Sequence, residues 1–117
     1  MPFPVIRIAI PKRRYQLGEF LVSVLGEIDS GDAVDYRYIA AFVKEGENTP
    51  QVYVTAESSP PGERGEGRYR LRLLSGALEE VMSTDDCWSD LELFSKQALE
   101  MGRQLLGLGE EEAYRLL

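Results

Sequence analysis

The chain has 117 residues, of which 44% are hydrophobic and 28% charged, and a formal net charge of -7. This length fits one domain that buries a core without staples, and this composition excludes a disordered chain. No apolar run is long enough to span a bilayer, histidine is absent and Cys87 is the single cysteine; together these exclude an internal disulfide and remove the commonest general base and transition-metal ligand.

The opening, MPFPVIRIAIPKRRY, is a poor export signal, because prolines frame its apolar part and the basic cluster follows that part instead of preceding it. A cytoplasmic protein is the expectation. Within this opening, residues 5–10 set Ile6, Ile8 and Ile10 against Val5, Arg7 and Ala9, which predicts a strand closed by Pro11. The PKRRY stretch after it reads as a solvated hairpin turn.

Residues 18–28 and 35–45 predict the next two strands. Phe20, Val22 and Val24 oppose Leu21, Ser23 and Leu25 in one; Tyr36, Tyr38, Ala40 and Phe42 oppose Arg37, Ile39, Ala41 and Val43 in the other. DSGD at 29–32 and EGENTP at 45–50 are turn chemistry, and connectors this short imply antiparallel neighbours. Residues 51–57, rich in β-branched and aromatic side chains, predict a fourth strand, and 68–74 a fifth. Between those two, residues 58–67 contain no apolar side chain and are expected to form a flexible surface connector.

Residues 75–82 fit a short helix or a sixth strand, and helix is the reading preferred. The capping residues of STDD at 83–86 precede Trp88, Leu91, Phe94, Ala98, Met101 and Leu105, which recur every three or four positions and predict one amphipathic helix over about 86–106. Gly107 and Gly109 end it. Tyr114, Leu116 and Leu117 are expected to dock the tail onto the body. The fold expected is α+β: a mainly antiparallel, meander-like sheet of about five strands with one long C-terminal helix on one face.

That arrangement leaves the second sheet face in need of cover, since the second and third strands are apolar on both sides. The candidate covers are the 75–82 segment with the tail, a second copy of the chain, or a ligand. A homodimer through Leu21, Leu25, Ile39 and Val43 is the expectation placed first.

Charge is uneven. Residues 1–72 hold ten Lys or Arg and ten Asp or Glu, whereas residues 73–117 hold three cations and ten acids. In GRYRLRLL at 67–74, Arg68, Arg70 and Arg72 alternate with Tyr69, Leu71 and Leu73. With Arg7 and Arg37 on the same face and tyrosines nearby, this row is a candidate anion or single-stranded nucleic-acid contact. The plainer reading is the wet face of a strand whose arginines pair with Glu19, Glu27, Glu45 or Glu57 on neighbouring strands.

Catalysis lacks a motif. The acids at 85, 86 and 90 disfavour a Cys87 thiolate, GERGEG at 62–67 lacks the Lys and Ser/Thr of a phosphate loop, and Asp29, Asp32 and Asp35 read as a self-capped turn rather than a cation site. No cofactor, metal or membrane is implied. The expectation is a non-catalytic binding or assembly protein, with a protein partner allowed for; the alternatives are a single-stranded nucleic-acid binder and a domain that holds a small apolar ligand between sheet and helix.

Overall fold

The computed structural model describes residues 3–59, 68–76 and 78–116. It shows the expected α+β class: one antiparallel sheet in meander order with a C-terminal helix against it. The strands are β1 (Ile6–Leu17), β2 (Phe20–Ser30), β3 (Tyr36–Lys44), β4 (Val52–Ser58), β5 (Tyr69–Ser75), β6 (Leu78–Asp85) and β7 (Ala113–Arg115), in the order β6-β5-β4-β3-β2-β1-β7. Helix α1 spans Leu91–Leu105. Most of the expected 58–67 connector lies outside the described residues, as does Leu117.

The first strand runs past Pro11 and through PKRRY, so this stretch is strand and not a turn. Proline is tolerated because β7 pairs only with Tyr15, Gln16 and Leu17, which leaves no partner on the outer side of β1 at Pro11, and because a bulge follows between Pro11 and Arg13. The chain reverses instead at Gly18 and Glu19, where Gly18 takes a φ of 55°.

The preference for helix over 75–82 is corrected: Leu78–Asp85 is a strand paired with all of β5, after a turn in which Gly76 has a φ of 54°. Leu78, Val81 and Met82 do stand at helical spacing, but so short a segment gains little as a helix, whereas pairing with β5 along its whole length satisfies its backbone. The tail is corrected as well. It adds β7 to the outer side of β1, and Tyr114 and Leu116 stay exposed.

The helix begins later than expected. A 3-10 turn, Asp86–Ser89, comes first, with Asp85 accepting from the Cys87 amide, and Asp90 then caps α1 by accepting from the Leu93 amide at 3.1 Å. Phe94, Ala98, Met101 and Gly102 form its buried stripe. They meet Phe20, Val22, Val24, Tyr38, Ala40, Phe42, Val52, Val54, Leu71 and Leu73, the alternate residues of β2 to β5, and Tyr38 stacks on Phe94 with centroids 5.4 Å apart. Trp88 packs at the margin of this core, its indole N–H donating to Ser83 Oγ at 3.3 Å.

Helix and sheet approach tightly at Gly102, where a Cβ would lie only 2.1 Å from Phe42 Cε2 and 2.3 Å from Phe42 Cζ. Replacing glycine by alanine inside a helix ordinarily stabilises by roughly 0.5–1 kcal/mol. Here the overlap reverses the sign: Gly102→Ala is expected to destabilise by about 1–3 kcal/mol and to lower Tm by several degrees in a thermal melt. An unchanged or higher Tm would show that this approach is not tight.

Candidate functional site

Alternation along β5 turns Leu71 and Leu73 toward the helix and Arg70 and Arg72 toward the opposite face of the sheet. Register then decides what the arginines meet. Arg70 lies directly across from Glu57 and Arg72 across from Thr55, both on β4. Glu57 is fully buried: its Oε1 accepts from Arg70 Nε at 2.7 Å, and its Oε2 lies 3.0 Å from Arg72 Nη2 and accepts from Thr55 Oγ1 at 3.1 Å. On the far side Arg72 Nη1 reaches Glu79 Oε1 of β6 at 2.5 Å. Burial works against the charge on Arg72, but Glu57 and Glu79 outweigh it and hold its pKa above the ordinary guanidinium value.

Tyr36 belongs beside this cluster. A bulge between Tyr36 and Tyr38 places Tyr36 across from Glu57, on the face opposite Tyr38, which corrects the expectation that the two share a side. Burial first, and the Asp32 carboxylate second, push the Tyr36 hydroxyl well above the ordinary phenol range, and it donates to Asp32 Oδ2 at 2.8 Å. Asp32 also accepts from the Val5 and Val34 amides, and Gly31 donates to the Val5 carbonyl. Its partial burial opposes ionisation, but the bonds from Tyr36, Val5 and Val34 outweigh that and keep its carboxyl below the usual aspartate range. The expected 29–32 turn is shorter, since Asp29 and Ser30 still pair with β1; the bend at 31–33 is capped by Asp32 and ties down residue 5.

The expected basic row is thus brought together only in part. Arg70 and Arg72 share a face, and both are engaged by Glu57. Arg68 precedes β5, is exposed, and donates its amide to Asp86. Arg37 sits in the β3 bulge over the Tyr38 ring, 5.0 Å from its centroid. Arg7 is on β1, four strands from β5 or about 19 Å. Lys12 and Glu27 pair at 2.5 Å, and Arg13 pairs with Glu92 of the helix at 2.5 Å.

The proposed self-association face is also divided. Ile39 is fully buried within the chain and is removed from that face as a correction; Leu21 is 37% exposed, and Leu25 and Val43 are half-buried. Leu74, Thr55 and Glu57 on the same face are fully buried too, and Phe3 packs on Tyr53 with ring centroids 5.1 Å apart. The N-terminal segment, not considered as a cover from sequence, contributes here, while neither 75–82 nor the tail lies over this face.

A groove of about 250 Å³ lies between the end of α1 and the β5–β6 margin, lined by Leu73, Met82, Met101, Gln104 and Leu105, so that its wall is largely apolar. Among the described residues no group of three or more Cys, Asp or Glu could hold a metal ion, and no helix is long and apolar enough to cross a membrane. Burial and the Asp85 carboxylate push the Cys87 thiol up, away from nucleophilic character. Set beside protein-family models, curated proteins and solved structures, the chain matches none.

Two outcomes follow from the ionic cluster and the capped turn. Glu57→Gln removes the charge that the buried Arg72 and the half-buried Arg70 share and is expected to destabilise by about 3–5 kcal/mol in denaturant unfolding; a loss under 1 kcal/mol would mean that the arginines turn to water. Because the folded state depresses the Asp32 pKa, its stabilisation is present at neutral pH and lost as pH falls through the folded value. Asp32→Asn should therefore cost stability at pH 7, and the gap to the parent chain should narrow below about pH 4; a gap that stays constant with pH would refute the assignment.

Proposed function

We propose that the chain is a non-catalytic binding and assembly protein that pairs with a second copy through the part of the sheet that its helix leaves open. The observation carrying this is the cross-strand pair Leu21 and Val43, adjacent to Leu25, on the face away from α1, with Leu21 37% exposed. A two-fold partner presents the same patch, so each contact counts twice, and complete burial of such a side chain contributes roughly 1.5–3 kcal/mol.

Engagement of Arg70 and Arg72 by Glu57 weakens the case for a nucleic-acid platform, which needs those guanidiniums for phosphates. The chemistry available fits binding better than turnover: no histidine, and a thiol held protonated.

Light scattering across a concentration series at low and high salt tests the reading. The expected result in high salt is a dimer that Leu21→Glu converts to monomer, with an unchanged circular dichroism spectrum. A chain that is monomeric at every concentration and both salts overturns it, and a titration against single-stranded oligonucleotide then becomes the discriminating measurement.

A further inference from the structure

Ladder pairing links the two sides of the sheet row by row. One row runs Arg14, Ser23, Ala41, Tyr53, Leu74, Glu79; the next Arg13, Val24, Ala40, Val54, Leu73, Glu80; a third Pro11, Leu25, Ile39, Thr55, Arg72, Val81. Each begins on β1 and ends on β6. Two of the three rows have an arginine at one end and a glutamate at the other, and the third has an apolar side chain at both. Alternation puts Arg14 and Glu79 on the face away from the helix, and Arg13 and Glu80 on the helix face. Opposite charges therefore sit in the same rows and on the same faces at the two sides of the sheet; Arg13 already pairs with Glu92 and Glu79 with Arg72, which leaves Arg14 and Glu80 as the two of these charges without an ion pair among the described residues.

Among the described residues both sides are open for much of their length. β6 ends the strand order, and among the described residues β1 has a strand neighbour on its outer side only at Tyr15, Gln16 and Leu17, so that strand pairing is unfilled from Ile6 to Arg13. An unpaired side presents backbone N–H and C=O groups that template a further strand. The apolar side chains there are unusually bare: Ile8 is 64% exposed on β1, and Val81 and Met82 are 48% and 47% exposed on β6. Across the six strands from β6 to β1 direction alternates, so β1 and β6 run oppositely. A second copy moved along the sheet without being turned over thus brings its β1 antiparallel to β6 of the first, with both helices on one side. In that position β7 and Leu116, whose amide donates to the Arg14 carbonyl at 2.7 Å, lie level with the start of β6; Glu80 and Val81 face Arg13 and Pro11, and Leu116 lies between Glu79 and Arg14.

We propose that copies of this chain associate head to tail, β1 of one adding to β6 of the next, so that the sheet continues from copy to copy. Pro11 forfeits one backbone bond in this contact, and the paired charges set its register. The contact is heterologous and joins different surfaces of the two copies, so it grows chains or rings where the Leu21 face makes a closed pair. It goes beyond the face pairing proposed above and stands or falls separately.

The experiment uses two full-length variants, Arg14→Glu and Glu80→Lys, each altering an exposed side chain at one side of the sheet. In low salt the parent chain is expected to show a mass that rises with concentration without a plateau, and an association constant that falls about tenfold in 0.5 M salt, as the screening of the exposed charges Arg14 and Glu80 implies. Either variant alone is expected to lose this growth. An equimolar mixture of the two should form one complex that joins a copy of each, since the β6 of Arg14→Glu and the β1 of Glu80→Lys are intact. To separate this contact from face pairing, the series is repeated on a Leu21→Glu background. Growth that persists unchanged in each variant alone, no added species in the mixture, or a parent chain that never exceeds a dimer overturns the proposal. Loss of the dimer with growth retained on the Leu21→Glu background supports it and limits the face pairing to a separate role.

Discussion

One helix laid on a seven-stranded sheet leaves the second side of that sheet to be buried without a second layer. The chain meets this constraint with polar chemistry. Glu57 sits under Arg70 and Arg72, with Thr55 and Tyr36 filling the remaining positions, so a patch that would otherwise face water is closed by paired charges from strands already in place. Alternation puts the groups on one face, and register puts them opposite one another. The N-terminal segment, tied through Val5 to the bend at 31–33, completes the cover as far as Tyr53.

The sequence made the helix-facing half of the fold legible. Phe20, Val22, Val24, Ala40, Phe42, Val52 and Val54 alternate as strands that back onto a helix must, and the three- and four-residue spacing of Phe94, Ala98 and Met101 locates that helix. What it concealed were places where alternation breaks. The bulge at Tyr36 inverts the side of a tyrosine, and those around Pro11 let a proline stay within a strand. A bulge depends on the partner strand, and pattern along one strand does not show it.

The arginine row shows the same limit at the candidate site. Its alternation is correctly read, and Glu57 stands among the acids expected to pair with it. Depth was the missing quantity: a glutamate at the end of VTAE looks like any exposed strand end, yet pairing between β4 and β5 sets it directly against Arg70 and buries it completely. The anion that the arginine pattern calls for is supplied by the neighbouring strand.

The meander order has a kinetic side. From β1 to β6 every strand finds its partner in the next stretch of chain, so each closure is local and its entropic cost is modest. The short β7 is the exception: its return to β1 closes a loop from Leu17 to Ala113 for only three residue pairs. It is the most remote closure in the sheet, held by the fewest bonds, and so belongs among the first segments to open in local fluctuations. When β7 lifts away, Tyr15, Gln16 and Leu17 join the unpaired side of β1, and the tail acts as a removable cap on the length of strand the protein offers to its surroundings.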